Sequence, residues 1–305
     1  MHRAHVPLAF AAILAACSRE SPPQAAADSA AAFSSARLSI VTQGSGPDII
    51  LVPGLTSDRT VWDSIAARVS GRYRLHLVQV NGFSGSPPGP NAEGPVSAPV
   101  AEELARYIQE TGLNRPAVVG HSMGGSIGLM LAARHPDRVG HLMVVDMYPN
   151  LAEVFAPGAP PEAVRRIADS MRAGMLAATA DSFAASFGQM IANMTRLEDR
   201  KPGLLRMVQS SDRTTVANAF HELLVTDLRP ELGRITAPVV VLYATPTNVP
   251  LSGEQFAAIM RQAYSGIPNV RLVLVPESLH FIQLDQPERV VAELDSLIRG
   301  AGTAP

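Results

Sequence analysis

The sequence predicts an α/β fold: a doubly wound, mostly parallel sheet with a helical cap inserted after the strand ending near Asp146. Three observations predict it. From about residue 37, short β-branched or Leu-rich runs alternate with helical stretches. A serine between two glycines sits where one such run gives way to a helical pattern, at 118–125. One long region, 149–224, is helical in pattern and has no strand-like run. Alternation of buried strands with helices is the pattern of a parallel sheet covered on both faces.

The chain opens on "MHRAHVPLAFAAILAACSRE", with a basic start at Arg3 and an apolar run from Val6 to Ala16. That is the layout of a secretory signal over 1–16, and the run is too short to span a bilayer. Leu14-Ala15-Ala16-Cys17 resembles a bacterial lipobox, which implies lipidation of Cys17, the only cysteine in the chain. The alternative is a plain signal peptide with an incidental Cys17. Residues 17–36, rich in Ala, Ser and Pro with Phe33 as the one large apolar residue, read as a disordered tether. The expectation is an exported lipoprotein of the bacterial cell envelope, facing the periplasm or outer membrane and held by Cys17.

The body divides into a core, 37–148 with 225–300, and the cap, 149–224. Strands are expected at 48–54, 74–80, 116–122, 141–147, 237–244 and 270–276. Helices are expected at 61–70, 99–112, 124–135, 253–265 and 286–299. In the cap, Pro160 and Pro161 with Glu162 suit a helix start. Its methionines Met171, Met175, Met190 and Met194 fall in i, i+4 pairs, which suits core packing and also an adaptable apolar lining.

A net charge of −2 and a pI near 6.4 give no electrostatic footprint for nucleic acid. No His/Cys/Asp cluster with metal-ligand spacing appears, nor a dinucleotide fingerprint, so no metal and no cofactor is expected.

"VVGHSMGG" (118–125) carries the chemistry. Gly120 and Gly124 flank Ser122 in a tight strand-to-helix turn, which lets the serine adopt a strained conformation and project above the carboxyl edge of the sheet. The helix starting near Met123 offers N–H groups and a positive dipole end to a developing oxyanion. His121, beside the serine, is expected beneath the turn and out of reach of its hydroxyl.

With these residues in hand, the chain resembles the α/β-hydrolase fold superfamily over roughly 37–300. "LVPGLTSDRTVW" (51–62) resembles the loop that completes the oxyanion hole, with Pro53-Gly54 in place of the usual His-Gly. The resemblance makes Leu55 N–H and Met123 N–H the candidate oxyanion donors. "NGFSGSPPG" (81–89) resembles the Gly-rich turn after the next strand, and "PESLHFIQLDQPERV" (276–290) the segment that delivers the catalytic histidine. His280 is therefore the expected general base for Ser122.

The acid is the irregular feature. Where the family usually carries it, after the strand at 237–244, "ATPTNVPLSG" contains neither Asp nor Glu. Asp146, at the carboxyl end of "HLMVVDM", is the candidate for a relocated acid, since that strand should neighbour the nucleophile strand. Its alternative role is structural. Glu277 lies too near His280 in sequence, Asp285 is expected to cap the final helix, and Asn248 is a neutral substitute.

The resulting expectation is a serine hydrolase that cleaves an ester-like, apolar small-molecule substrate through a Ser122 acyl-enzyme. An acyltransferase, lactonase or lyase would use the same residues. A non-catalytic binding protein on this fold is the reading from a different class, and the acid missing from its usual place is what favours it.

Overall fold

The computed structural model describes residues 1–2, 33–245 and 252–300. The expected signal segment from residue 3 onward, Cys17 and Asn248 lie outside the described residues. Phe33 onward forms one unit. The body starts earlier than residue 37. Phe33 packs edge-on against Tyr107, with ring centroids 4.9 Å apart and Arg106 over its other face. The Ser35 hydroxyl accepts from the Arg37 and Leu38 N–H groups.

Seven strands form one sheet: β1 (Leu38–Gly44), β2 (Asp48–Val52), β3 (Arg74–Val80), β4 (Ala117–His121), β5 (His141–Val145), β6 (Val239–Tyr243) and β7 (Val270–Leu274), in the order β1-β3-β2-β4-β5-β6-β7. All neighbours are parallel except β1, which runs antiparallel to β3 at one edge. β2, β4, β5 and β6 lie inside the sheet and are almost wholly buried, which is why they read as continuous apolar runs. β1 went unrecognised in the sequence because most of "LSIVTQG" is exposed at the edge.

The helices of the core are α1 (Asp63–Val69), α2 (Ser97–Glu110) and α3 (Met123–Arg134). α2 packs on α3, and α1 packs on the last helix, 287–298. α3 is buried from Met123 to Ala133. It lies close on the sheet because its glycines admit the approach: a Cβ on Gly128 would stand 2.9 Å from Leu142. The chain leaves β2 for β3 on one side and returns to β4 on the other. The crevice at that switch in strand order is where open α/β sheets bind ligands.

Between β5 and β6 the chain forms α4 (Ala152–Phe155), α5 (Pro161–Ala177), α6 (Ala180–Ala192), α7 (Lys201–Ser210) and α8 (Arg213–Val225). An isolated bridge between Asn150 and Asp227 closes the base of this insertion. α8 is bonded firmly to the core. The buried Glu222 carboxylate accepts from Val96, Ser97 and Ala98 N–H at 2.6, 2.6 and 2.9 Å, capping α2 from another element. After β6 come α9 (Gly253–Ala263), α10 (Ile282–Asp285) and α11 (Pro287–Ile298).

Among the described residues no helix is long and apolar enough to cross a membrane.

Candidate active site

Ser122 stands between β4 and α3 with φ 53° and ψ −122°, left-handed backbone that costs a non-glycine residue energy. The turn is held by Ser122 N–H to Val145 O at 2.9 Å and by Gly125 N–H to Ser122 O at 2.7 Å. Its flanking glycines are sterically required. A Cβ on Gly120 would fall 2.0 Å from Gly124 O, and one on Gly124 would fall 2.2 Å from Val52 O. Gly54 also lies close to the serine: a Cβ there would stand 3.0 Å from Ser122 Cβ.

Leu55 follows Gly54 in the loop after β2 and lines the same cavity as Ser122. Met123 is the first residue of α3, so its N–H has no carbonyl within the helix to bond.

Asp146 directly follows β5 and also has positive φ, 50°. Its N–H donates to Leu242 O at 2.8 Å. One carboxylate oxygen accepts from Ala244 N–H at 3.0 Å, and the other lies 2.7 Å from His280 Nδ1. A carboxylate can only accept, so Nδ1 is the donor of this pair and Nε2 is the nitrogen that Asp146 does not engage. The strand end that lacks an acid thus contributes a backbone donor to the acid of its neighbour.

His121 lies beneath the serine, fully buried, with Nε2 3.0 Å from His280 O. Burial, and then the nearby His280, hold its pKa well below the usual imidazole value, so it is neutral. Its Nδ1 has no partner. Burial and the Asp146 charge push the Tyr148 and Tyr264 phenols up, so both stay protonated.

Ser122, Asp146 and His280 border one cavity of about 390 Å³. Its roof is apolar: Phe155 from α4, Phe187, Met190 and Ile191 from α6, then Met194, and Phe220 and Leu223 from α8. Met190 and Met194 therefore line the cavity, whereas Met175 packs on the core. Among the described residues no group of three or more His, Cys, Asp or Glu is arranged to hold a metal ion.

Asp285 does not cap the final helix. Its carboxylate accepts from Leu279 N–H, Thr195 Oγ and Arg196 N–H at 2.8, 2.6 and 3.0 Å. Neither this link nor the aromatic roof was legible in the sequence, since both join segments far apart in the chain.

The family model for the alpha/beta hydrolase fold matches residues 47–287. The chain belongs to the α/β-hydrolase fold family. Among curated relatives, this α/β hydrolase is 28% identical to the pimeloyl-[acyl-carrier protein] methyl ester esterase of Nitrosomonas europaea, over 86% of its own length and all of the relative's. It is 31% identical to the enzyme of the same name from Aeromonas salmonicida, over 83% and 96%. Among solved structures it resembles an esterase from Exiguobacterium antarcticum at TM-score 0.70 and 20% identity, covering 86% of this chain and 95% of that one. It also resembles the enol-lactonase of Burkholderia xenovorans LB400, at TM-score 0.68 and 19% identity over 86% and 96%. At such identities these structures show the shared fold alone. With its relatives, the α/β hydrolase is a hydrolytic enzyme of the esterase type.

Proposed function

We propose that this protein is a serine esterase for esters with an apolar acyl chain, with Ser122 as nucleophile, His280 as base and Asp146 as acid. The observation that carries the reading is the 2.7 Å contact of Asp146 with His280 Nδ1 beside a serine held at positive φ in the same cavity.

The chemistry follows from the charges. Asp146 fixes the His280 tautomer and stabilises the imidazolium. His280 Nε2 takes the Ser122 hydroxyl proton as Oγ bonds to the ester carbonyl carbon. The carbonyl oxygen becomes an oxyanion, which accepts from Leu55 and Met123 N–H. Collapse breaks the bond to the alcohol oxygen, and His280 returns the proton to that alcohol as it leaves. Water then attacks the acyl-enzyme carbonyl, giving its proton to His280; the bond to Ser122 Oγ breaks, His280 returns the proton to Oγ, and the acid leaves.

The aromatic and methionine roof supports an apolar chain on the acyl side. The relatives named for a methyl ester of an acyl group support a simple alcohol on the other side. The N-terminal pattern supports an exported enzyme anchored through lipidated Cys17. Metabolic labelling with a radioactive fatty acid, lost in Cys17→Ser, tests the anchor.

For the enzyme, a fluorophosphonate should label the wild type and leave Ser122→Ala untouched. Methyl or p-nitrophenyl esters should turn over faster as the acyl chain lengthens from acetate to hexanoate. A folded wild type that neither labels nor turns over any ester sinks the proposal in favour of a binding protein.

A further inference from the structure

We propose that Asp285 is a positioning residue for His280, and that through it the cap forms part of the support of the base. The inference rests on the reading of His280 as the general base.

His280 sits in a stretch between β7 and α10 that is neither strand nor helix, with Glu277 at φ 55° just before it. Such a segment has no ladder or helical hydrogen bonds to fix its imidazole. Its backbone polar groups are fixed from outside instead. Leu279 N–H donates to one Asp285 carboxylate oxygen at 2.8 Å. The His280 carbonyl accepts from His121 Nε2 at 3.0 Å. Phe281 N–H donates to Met194 O at 2.8 Å.

Two of these three supports lead to the cap. Asn193 and Met194 follow α6 directly, and both line the cavity. The next two residues reach the second Asp285 oxygen: Thr195, fully buried, through its hydroxyl at 2.6 Å, and Arg196 through its N–H at 3.0 Å. A single carboxylate therefore joins the chain just before the base to the chain just after the cap helix that roofs the substrate cavity. Three donors converge on it and no acceptor, so an amide cannot replace it: one of its two ends would present N–H to N–H.

Positioning matters here because the base must hold hydrogen-bond geometry to Ser122 and Asp146 together, and a displacement of about 1 Å in such a site costs on the order of a hundredfold in rate. The chemistry itself never touches Asp285. Its removal should therefore lower kcat while leaving KM, which reports the cavity, nearly unchanged.

The test uses the full-length enzyme, titrated with a fluorophosphonate to count functional serines, then assayed on p-nitrophenyl butyrate per titrated site. Asp285→Asn should lower kcat per site by roughly 10- to 100-fold with KM within about twofold. Thr195→Val removes only the cap's side-chain donor and should lower kcat by a smaller factor, in the same direction. If Asp285→Asn yields fewer titratable sites but each turns over at the wild-type rate, Asp285 only holds the fold together and the proposal is overturned. A raised KM with unchanged kcat overturns it too. Should Asp285→Asn fail to fold, Thr195→Val decides, and wild-type kcat per site in that variant overturns the role of the cap. A wild type that cannot be titrated at all instead removes the serine-esterase reading, and this inference with it.

Discussion

The Asp146 carboxylate meets His280 Nδ1 at 2.7 Å across 134 residues of chain and the whole of the cap. The sheet makes the meeting possible. β5 lies between β4 and β6, with Val145 opposite His121 on one side and Leu242 one residue out of step with Asp146 on the other. An acid just past β5 thus reaches the same edge as an acid past β6 would, one strand nearer to the serine. Ala244 N–H holds the free carboxylate oxygen, so the site keeps a fixed acid although the loop after β6 carries none.

Asp146→Asn isolates the charge from the shape. Asparagine can still accept from Ala244 N–H, but its amide N–H₂ would face His280 Nδ1 and favour the tautomer with the proton on Nε2. The base is then blocked. Esterase kcat should fall by about a thousand- to ten-thousandfold with thermal stability little changed. Fluorophosphonate labelling should slow in parallel. Equal rates in the two proteins would make Asp146 structural and return attention to Asn248.

The strained serine makes a stability prediction. At φ 53° any side chain is disfavoured, and glycine is not. Ser122→Gly and Ser122→Ala should both be inactive, but the glycine variant should be more stable than the alanine variant by about 1 kcal/mol. Urea denaturation of the two variants reads this difference directly. Equal midpoints would mean that the backbone relaxes when the hydroxyl is lost.

What the sequence disclosed follows from burial. The inner strands were legible because both faces are covered, so apolar residues dominate along them. β1 was not, because an exposed edge leaves no periodic signal in "LSIVTQG". The grouping of Ser122, Asp146 and His280 at one cavity was legible from motif, chain order and a strand end, while their roles remain the proposal above. The partners of Asp285 were hidden, since nothing local to "FIQLDQP" reveals Thr195 or Arg196 across the cavity. Glu222 was hidden for the same reason: in sequence it is one of several polar residues on its helix, and its three donors lie more than a hundred residues away.

Glu222 should be among the most sensitive positions for stability outside the site. Val96, the residue just before α2, supplies no side-chain cap, so Glu222 satisfies the N–H groups there. Glu222→Ala leaves three donors, two of them buried, without acceptors and should cost about 2–4 kcal/mol. Glu222→Gln, which keeps one acceptor oxygen, should cost less. Chemical denaturation measures both, while kcat per titrated site at 25 °C should stay near wild type in the folded fraction.

His121 should impose a pH dependence on folding. Its folded-state pKa lies well below the ordinary 6.5 because the ring is buried, with His280 beside it. The unfolded chain therefore takes up a proton below about pH 6.5 that the folded chain refuses. The stability tied to this group is complete above that pH and declines as the pH falls toward the folded value, by up to about 1.4 kcal/mol per pH unit. His121→Gln keeps an N–H able to donate to the His280 carbonyl and cannot titrate. Compared between pH 7.5 and 5, the wild type should lose stability relative to this variant, and denaturant midpoints at the two pH values measure the difference. Parallel loss in both proteins would mean that His121 is protonated in the fold, which would set a charged ring against the base at a centroid distance of 4.7 Å.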